Sequence, residues 1–175
     1  MILRCKKGDK NSFGPLIQLY RRQLFSYLWR FTHSDERSKD LFQEVLIKVW
    51  KGLKNYKEND RFASWLFSIA HNVAIDEVRK EKRMSDIFEY GQEREPGIYS
   101  NPYNILVAAE SEKMILDVID TLPEKQKEVF LLRQHGELTF KEIADLINEP
   151  LSTVLSHMHY ATKKIKKALR KENAI

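Results

Sequence analysis

The sequence predicts an all-α protein built as two small helical domains joined by a flexible linker. Three observations predict it. Apolar residues recur at three- and four-residue intervals through most of the 175 residues, and alternation of the strand type is absent. A stretch punctuated by Gly91, Pro96, Gly97 and Pro102 interrupts that periodicity near the middle. Near the C-terminus, TFKEIADLINEPLSTVLSHMHYATKKIKKAL reads as a short helix, a tight turn and a longer helix.

Within residues 9–31, Phe13, Leu16, Ile17, Leu19, Tyr20, Leu24, Phe25, Leu28 and Phe31 form a helical stripe, with an interruption expected near Gly14-Pro15. Ser34 or Asp35 can cap the next helix, Glu36 to Leu53, whose inward residues are Leu41, Phe42, Val45, Leu46, Val49 and Trp50. Gly52 and the polar run Asn55 to Asp60 end it. A third helix is expected from Phe62 to Arg83, with Phe62, Trp65, Leu66, Ile69, Ala70, Val73 and Val78 apolar. The domains expected are 1–83, a linker over 84–104, and 105–175. The linker carries Ile87, Phe88, Tyr90, Ile98, Tyr99 and Tyr103, so it either lies along a partner surface or is a loose loop with scattered aromatics. Helical character returns at Ile105. Ile115, Val118, Ile119 and Leu122 make one stripe; a further helix follows Pro123 and ends at Gly136.

In the C-terminal motif, Thr139 and Glu142 have capping-box spacing, and Asn148 suits a left-handed helix end. Pro150 suits the first turn of the next helix. Val154, Met158, Ala161, Ile165 and Leu169 give that helix one buried face. The pattern is that of a helix-turn-helix, whose second helix enters the DNA major groove; the alternative is two amphipathic helices of an ordinary bundle. The residues turned to the bases would be Thr153, Ser156, His157 and Tyr160, with no Arg or Lys among them.

The net charge is +5 and the pI about 9.2. Residues 84–124 hold nine Asp and Glu against Arg94 and Lys113, a local charge of −7 that leaves +12 for the flanking blocks. Basic blocks around an acidic middle suit a polyanionic partner. Cys5 is the only cysteine, which excludes an internal disulfide or a zinc-type cysteine cluster. There is no apolar run near eighteen residues and no apolar signal-peptide core, so direct membrane insertion is not expected and a reducing cytoplasm is. The five histidines form no metal-ligand spacing, and neither a Gly-rich phosphate loop nor a nucleophile elbow occurs. Enzymatic activity, a metal, a cofactor and a small-molecule substrate are therefore not expected.

Asp40, Gln43 and Glu44 share one face of the second helix, opposite its apolar stripe, as solvated surface or as a docking face. Asn72, Asp76, Arg79, Lys80 and Arg83 descend the outer face of the third helix. Arg61, Phe62 and Trp65 put aromatic rings beside basic groups, as single-strand stacking needs, although core packing is the competing role for the rings.

Three blocks, taken in order, carry a family resemblance: DLFQEVLIKVW at Asp40–Trp50, FASWLFSIAHNVAIDEVRKEKR at Phe62–Arg83, and LPEKQKEVFLLRQHGELTFKEIADLI at Leu122–Ile147. The chain resembles a bacterial RNA polymerase sigma factor of the extracytoplasmic-function class of the sigma-70 superfamily. The resemblance implies a region 2 helical bundle, a region 4 helix-turn-helix, and promoter-specific initiation with core RNA polymerase. It implies that Asp40, Gln43, Glu44 and Lys48 face the β′ clamp helices. The loop Asn55 to Arg61, with Phe62, Trp65, Asn72 and Asp76, would read melted −10 bases, and Arg79, Lys80 and Arg83 would hold phosphate. Ser152, Thr153, Ser156, His157, Tyr160, Lys163 and Lys164 would meet the −35 duplex, with region 4 also on the β flap. The linker would thread toward the RNA exit channel, and an anti-sigma factor is implied as a partner. Leu155, His157, Tyr160 and Thr162 are non-basic where family members often carry basic residues. Weak duplex binding that leans on the C-terminal lysines is therefore expected. The alternative function is a helix-turn-helix regulator that binds duplex without polymerase.

Overall fold

A computed structural model describes residues 1–57, 61–87, 115 and 117–172. The chain divides into two compact units, Met1–Asn101 and Pro102–Ile175. All regular structure among the described residues is helical. Most of the linker expected at 84–104 and the helix onset expected at Ile105 lie outside the described residues.

In the first unit, α1 is Ile2–Lys6, α2 Phe13–Gln18, α3 Arg21–Thr32, α4 Asp35–Gly52 and α5 Phe62–Ile87. The interruption expected near Gly14-Pro15 is present, since α2 begins at Phe13, and a second break falls at Leu19-Tyr20. Pro15 sits in the first turn of α2, where a missing amide costs no intrahelical bond. Between α3 and α4 the chain reverses through His33, which is left-handed at φ 48°. Ser34 then caps α4, its hydroxyl accepting from the Arg37 amide at 3.4 Å.

The core is made by α3, α4 and α5. Leu24, Tyr27 and Leu28 of α3, Val45 and Val49 of α4, and Leu66, Phe67, Ala70 and Ala74 of α5 are all buried where the three helices pack. The Tyr27 and Phe67 rings meet edge to face at 5.4 Å. The Tyr27 hydroxyl shares a 3.1 Å hydrogen bond with His71 Nδ1 in the buried interior. His71 shares the buried side of α5 with Leu66, Phe67, Ala70, Val73 and Ala74, and Asn72, the next residue, faces solvent. An ion pair between Arg37 and Glu81 ties the start of α4 to the far part of α5. Helix α5 runs to Ile87, so its last residues enter the segment expected as linker.

In the second unit, residues 117–120 are helical, followed by α6 Glu124–His135, α7 Phe140–Ile147 and α8 Leu151–Glu172. Gly136 is the C-cap of α6 but is right-handed at φ −87°; the left-handed residue is Glu137, at φ 54°. The Gly136 amide still donates to the Leu132 carbonyl, so the reversal comes one residue later than expected.

The capping box of α7 is complete. The Thr139 hydroxyl accepts from the Glu142 amide at 3.2 Å, and the Thr139 amide donates to Glu142 Oε2 at 2.5 Å. Asn148 closes α7 at φ 55°. Thr139→Ala is expected to destabilise the second unit by about 1 kcal/mol in urea unfolding, the usual worth of such a cap. A change below about 0.3 kcal/mol would mean that tertiary contacts alone hold the turn. Arg133 joins α6 to this motif: its guanidinium donates to the Leu138 carbonyl at 2.7 Å and lies 5.4 Å from the Phe140 ring centroid. Val129, Leu132, Leu138, Ile143, Val154, Ala161 and Ile165 form the core beneath.

Candidate functional site

On α4, burial of Leu41, Val45 and Val49 fixes which side faces out. Asp40, Gln43, Glu44 and Lys48 are all exposed on that side. Lys48 Nζ lies 2.9 Å from Glu44 Oε1, one turn away. Ile47 stands among them at 55% exposure, an apolar side chain with polar neighbours. It was missed as a site residue. The signal was available, because Ile47 falls off the period of the stripe that continues through Val45 and Val49. An acidic and amide patch around one exposed aliphatic group has the composition of a docking surface with an apolar anchor.

At the other end of α4, the exposed Asn55 ends a 3-10 turn, Leu53–Asn55. Residues 58–60 of the expected reading loop lie outside the described residues. Below it sits an aromatic cluster. Tyr56 meets Phe62 at 5.7 Å and Trp65 at 5.0 Å, and Phe62 meets Tyr20 at 5.5 Å. Phe62 is 6% exposed and belongs to the core, so its ring has no free face for a base. Trp65 is half-buried and keeps part of its ring accessible. Gly52 makes room for it: a Cβ there would stand 2.9 Å from Trp65 Cζ2.

Trp65, Asn72, Asp76, Arg79 and Arg83 lie three, four or seven residues apart and therefore share one line along α5. At 1.5 Å per residue the line is about 27 Å long. Asn72, Asp76, Arg79, Lys80 and Arg83 are exposed. Two of the cations beyond Asn72 are only loosely engaged, Arg79 with Asp76 and Lys80 with Glu77, each at 3.9 Å. Arg61, also exposed, precedes the helix. An aromatic ring, an amide and a cationic tail on one helix face can stack on a base, hydrogen-bond a base edge and hold phosphates in succession.

On α8, Ser152, Ser156, Tyr160, Lys163 and Lys164 are exposed, and Thr153 and His157 half-buried. His157 Nε2 lies 3.2 Å from Glu149 Oε2, which draws the ring toward the turn. Lys164 donates to the Thr121 carbonyl at 2.7 Å, so it braces the unit rather than pointing freely outward. Lys163, Lys166, Lys167 and Arg170 are exposed along the rest of the helix. Neither internal contact of His157 or Lys164 was legible locally, because Glu149 and Thr121 come from the turn and from the preceding helical segment.

A charged chain backs this motif. Lys125 Nζ lies 3.0 Å from Glu128 Oε2 and 3.4 Å from Glu149 Oε1. Burial pushes the Glu128 carboxyl above the usual carboxylate range, against the lowering pull of Lys125. Partial burial pulls the Lys125 ammonium down, but Glu128 and Glu149 outweigh it and leave its pKa raised. Since folding raises the Glu128 pKa, that shift adds stability below the ordinary carboxylate range, and the gain is lost as pH rises through the folded value. Glu128→Gln is therefore expected to gain stability relative to wild type as pH rises from about 4 to about 7. Urea unfolding at both values checks it, and a pH-independent difference would contradict the burial argument.

Among the described residues, no group of three His, Cys, Asp or Glu side chains could hold a metal, and no helix is long and apolar enough to cross a membrane.

Residues 16–84 match the model of sigma-70 region 2, and residues 118–167 match that of sigma-70 region 4. The chain is 27% identical to the ECF RNA polymerase sigma factor SigW of Bacillus subtilis, over 97% of this chain and 95% of that one. It is 29% identical to the ECF RNA polymerase sigma-E factor of Escherichia coli K12, over 94% and 90%. Among solved structures, the sigma factor RpoE of Bartonella quintana, in complex with the anti-sigma factor NepR, matches with a TM-score of 0.72 at 17% identity, over 91% of this chain and 97% of that one. CnrH, in complex with the cytosolic domain of CnrY, matches with a TM-score of 0.63 at 18% identity, over 97% and 95%. With both regions present in order and relatives matched over nearly their whole length, the chain belongs to the sigma-70 family, in its extracytoplasmic-function class.

Proposed function

We infer that this protein binds core RNA polymerase and directs promoter-specific initiation, with no catalysis of its own. The observation that carries the reading is the pairing of two exposed helix faces within one unit: the α4 patch around Ile47 and the α5 line from Trp65 to Arg83. A regulator that binds only duplex needs neither. In this reading Asp40, Gln43, Glu44, Ile47 and Lys48 dock on the β′ clamp helices. Asn55, Arg61 and Trp65 approach the melted −10 strand, and Asn72 hydrogen-bonds a flipped base. Arg79, Lys80 and Arg83 neutralise its phosphates, with Asp76 between Asn72 and these cations and loosely paired with Arg79. Phe62 supports Trp65 from the core.

Ser152, Thr153, Ser156 and Tyr160 approach the −35 duplex, and Lys163 its backbone. His157 and Lys164 act from the side of the fold, holding the turn and the helical segment before α6. The second unit also meets the β flap. The site of action is the cytoplasm, where the polymerase is. RpoE of Bartonella quintana, a protein of the same fold, is described in complex with the anti-sigma factor NepR, which supports such a partner here.

Core dependence tests the function. Protection of promoter DNA by the full chain is expected only when core polymerase is present, with reactive, unpaired bases around −10. Equal protection by the chain alone, with the duplex closed, would favour the polymerase-independent regulator.

A further inference from the structure

The first turns of α8 carry a feature that duplex binding through lysines leaves unused. Leu151 and Leu155 are each 45% exposed. They are four residues apart, so their side chains stand one above the other on the same side of the helix. Beside them runs the outward polar face, with Ser152, Ser156 and His159, which continues into Lys163, Lys166, Lys167 and Arg170. Cations farther along the helix match a polyanion and place its apolar shoulder against that same ligand.

The helix has no Arg or Lys between Leu151 and Thr162, so it has no side chain there for bidentate contact with guanine. His157 is drawn to Glu149 at 3.2 Å. The Ser156 hydroxyl donates its hydrogen to the Ser152 carbonyl at 2.9 Å, which leaves its oxygen as an acceptor. Of the exposed side chains left for base edges, Ser152, Ser156, His159 and Tyr160 offer polar groups, and Leu151 and Leu155 offer aliphatic surface. In the major groove, thymine alone presents a methyl group, and apolar side chains meet it; a hydroxyl oxygen accepts from adenine or cytosine amino groups.

We propose that Leu151 and Leu155 read thymine 5-methyl groups of the −35 duplex, so that this contact is specified by methyls rather than by guanine. The proposal rests on the duplex-binding role assigned above to the second unit. It makes the non-basic recognition helix a reader of a different chemical group, with the lysines and Arg170 supplying phosphate contacts that are indifferent to sequence.

Deoxyuridine tests it, since it removes only the methyl. The full chain with core polymerase selects promoter duplexes from a pool randomised in the −35 segment. The best duplex is then rebuilt with deoxyuridine for thymine in that segment, or with the segment scrambled. Open-complex formation is titrated on all three. Thymine is expected in the selected segment, and each contacted thymine changed to deoxyuridine is expected to weaken half-saturation about fourfold, the worth of one buried methyl-sized group. The Leu151→Ala, Leu155→Ala double variant, altered only at exposed helix positions, is expected to respond equally to thymine and deoxyuridine. Loss on scrambling without loss on deoxyuridine overturns methyl reading and leaves the duplex role standing. No loss on either overturns the duplex role itself. An unchanged deoxyuridine penalty in the double variant, or its weaker binding to core polymerase without DNA, takes the leucines away from DNA and also overturns the proposal.

Discussion

Ile47→Glu is expected to weaken binding of the chain to core RNA polymerase by about thirtyfold, the effect of losing an interface hot spot of about 2 kcal/mol. Ile47 is 55% exposed, so the substitution opens no cavity and should leave thermal unfolding nearly unchanged. Its neighbours set the sign of the effect. Asp40 and Glu44 already place carboxylates on this face, so a further negative charge repels them and must be desolvated on docking. Glu44 is balanced by Lys48 at 2.9 Å, which makes single charge changes there weaker than the loss of the aliphatic anchor. Titration of fluorescent core polymerase with the two proteins checks this. A change under about threefold, near 0.7 kcal/mol, would mark the face as solvated surface.

Asn72→Ala is expected to reduce open-complex formation about tenfold, while affinity for core polymerase stays within about twofold; removing one base-edge hydrogen-bond pair commonly costs about 1–3 kcal/mol. The separation follows from the fold. His71 is buried and bonded to Tyr27, so α5 keeps its rotation when Asn72 is shortened. The α4 patch lies on another helix and is untouched. Permanganate reactivity of −10 thymines measures melting, and the core titration measures docking. Equal loss of both would place Asn72 in the polymerase interface or in the support of the fold, and would remove the base-reading role.

Local chemistry was legible where a few neighbouring residues settle it. Ser34, the Thr139–Glu142 box and the left-handed Asn148 all stand where sequence places them, since each satisfies helix-end groups within four residues. The long periodic helices α4 and α5 appear for the same kind of reason: their stripes face one core. The five-residue α1 offers too few positions for a period, and the second break, after α2, has no Gly or Pro to mark it.

The site was half legible. Exposure of Asp40, Gln43, Glu44, Asn72, Arg79 and Arg83 follows from periodicity alone. Which of Phe62 and Trp65 is core could not be read, because Tyr20 and Tyr56 decide it from other elements. The same holds for the contacts of His157 with Glu149 and of Lys164 with Thr121. Ile47 was visible as an exception to the stripe, but an exposed aliphatic residue gains meaning only once its polar surroundings are in place.

Run-off transcription with purified core polymerase, with and without the full chain, on fragments of the source genome tests the central claim most directly. The account predicts transcripts from discrete start sites that require the chain, and their loss when Asn72→Ala and Ile47→Glu are combined. An absence of any chain-dependent transcript on every fragment, with core polymerase active on a general template, would contradict it.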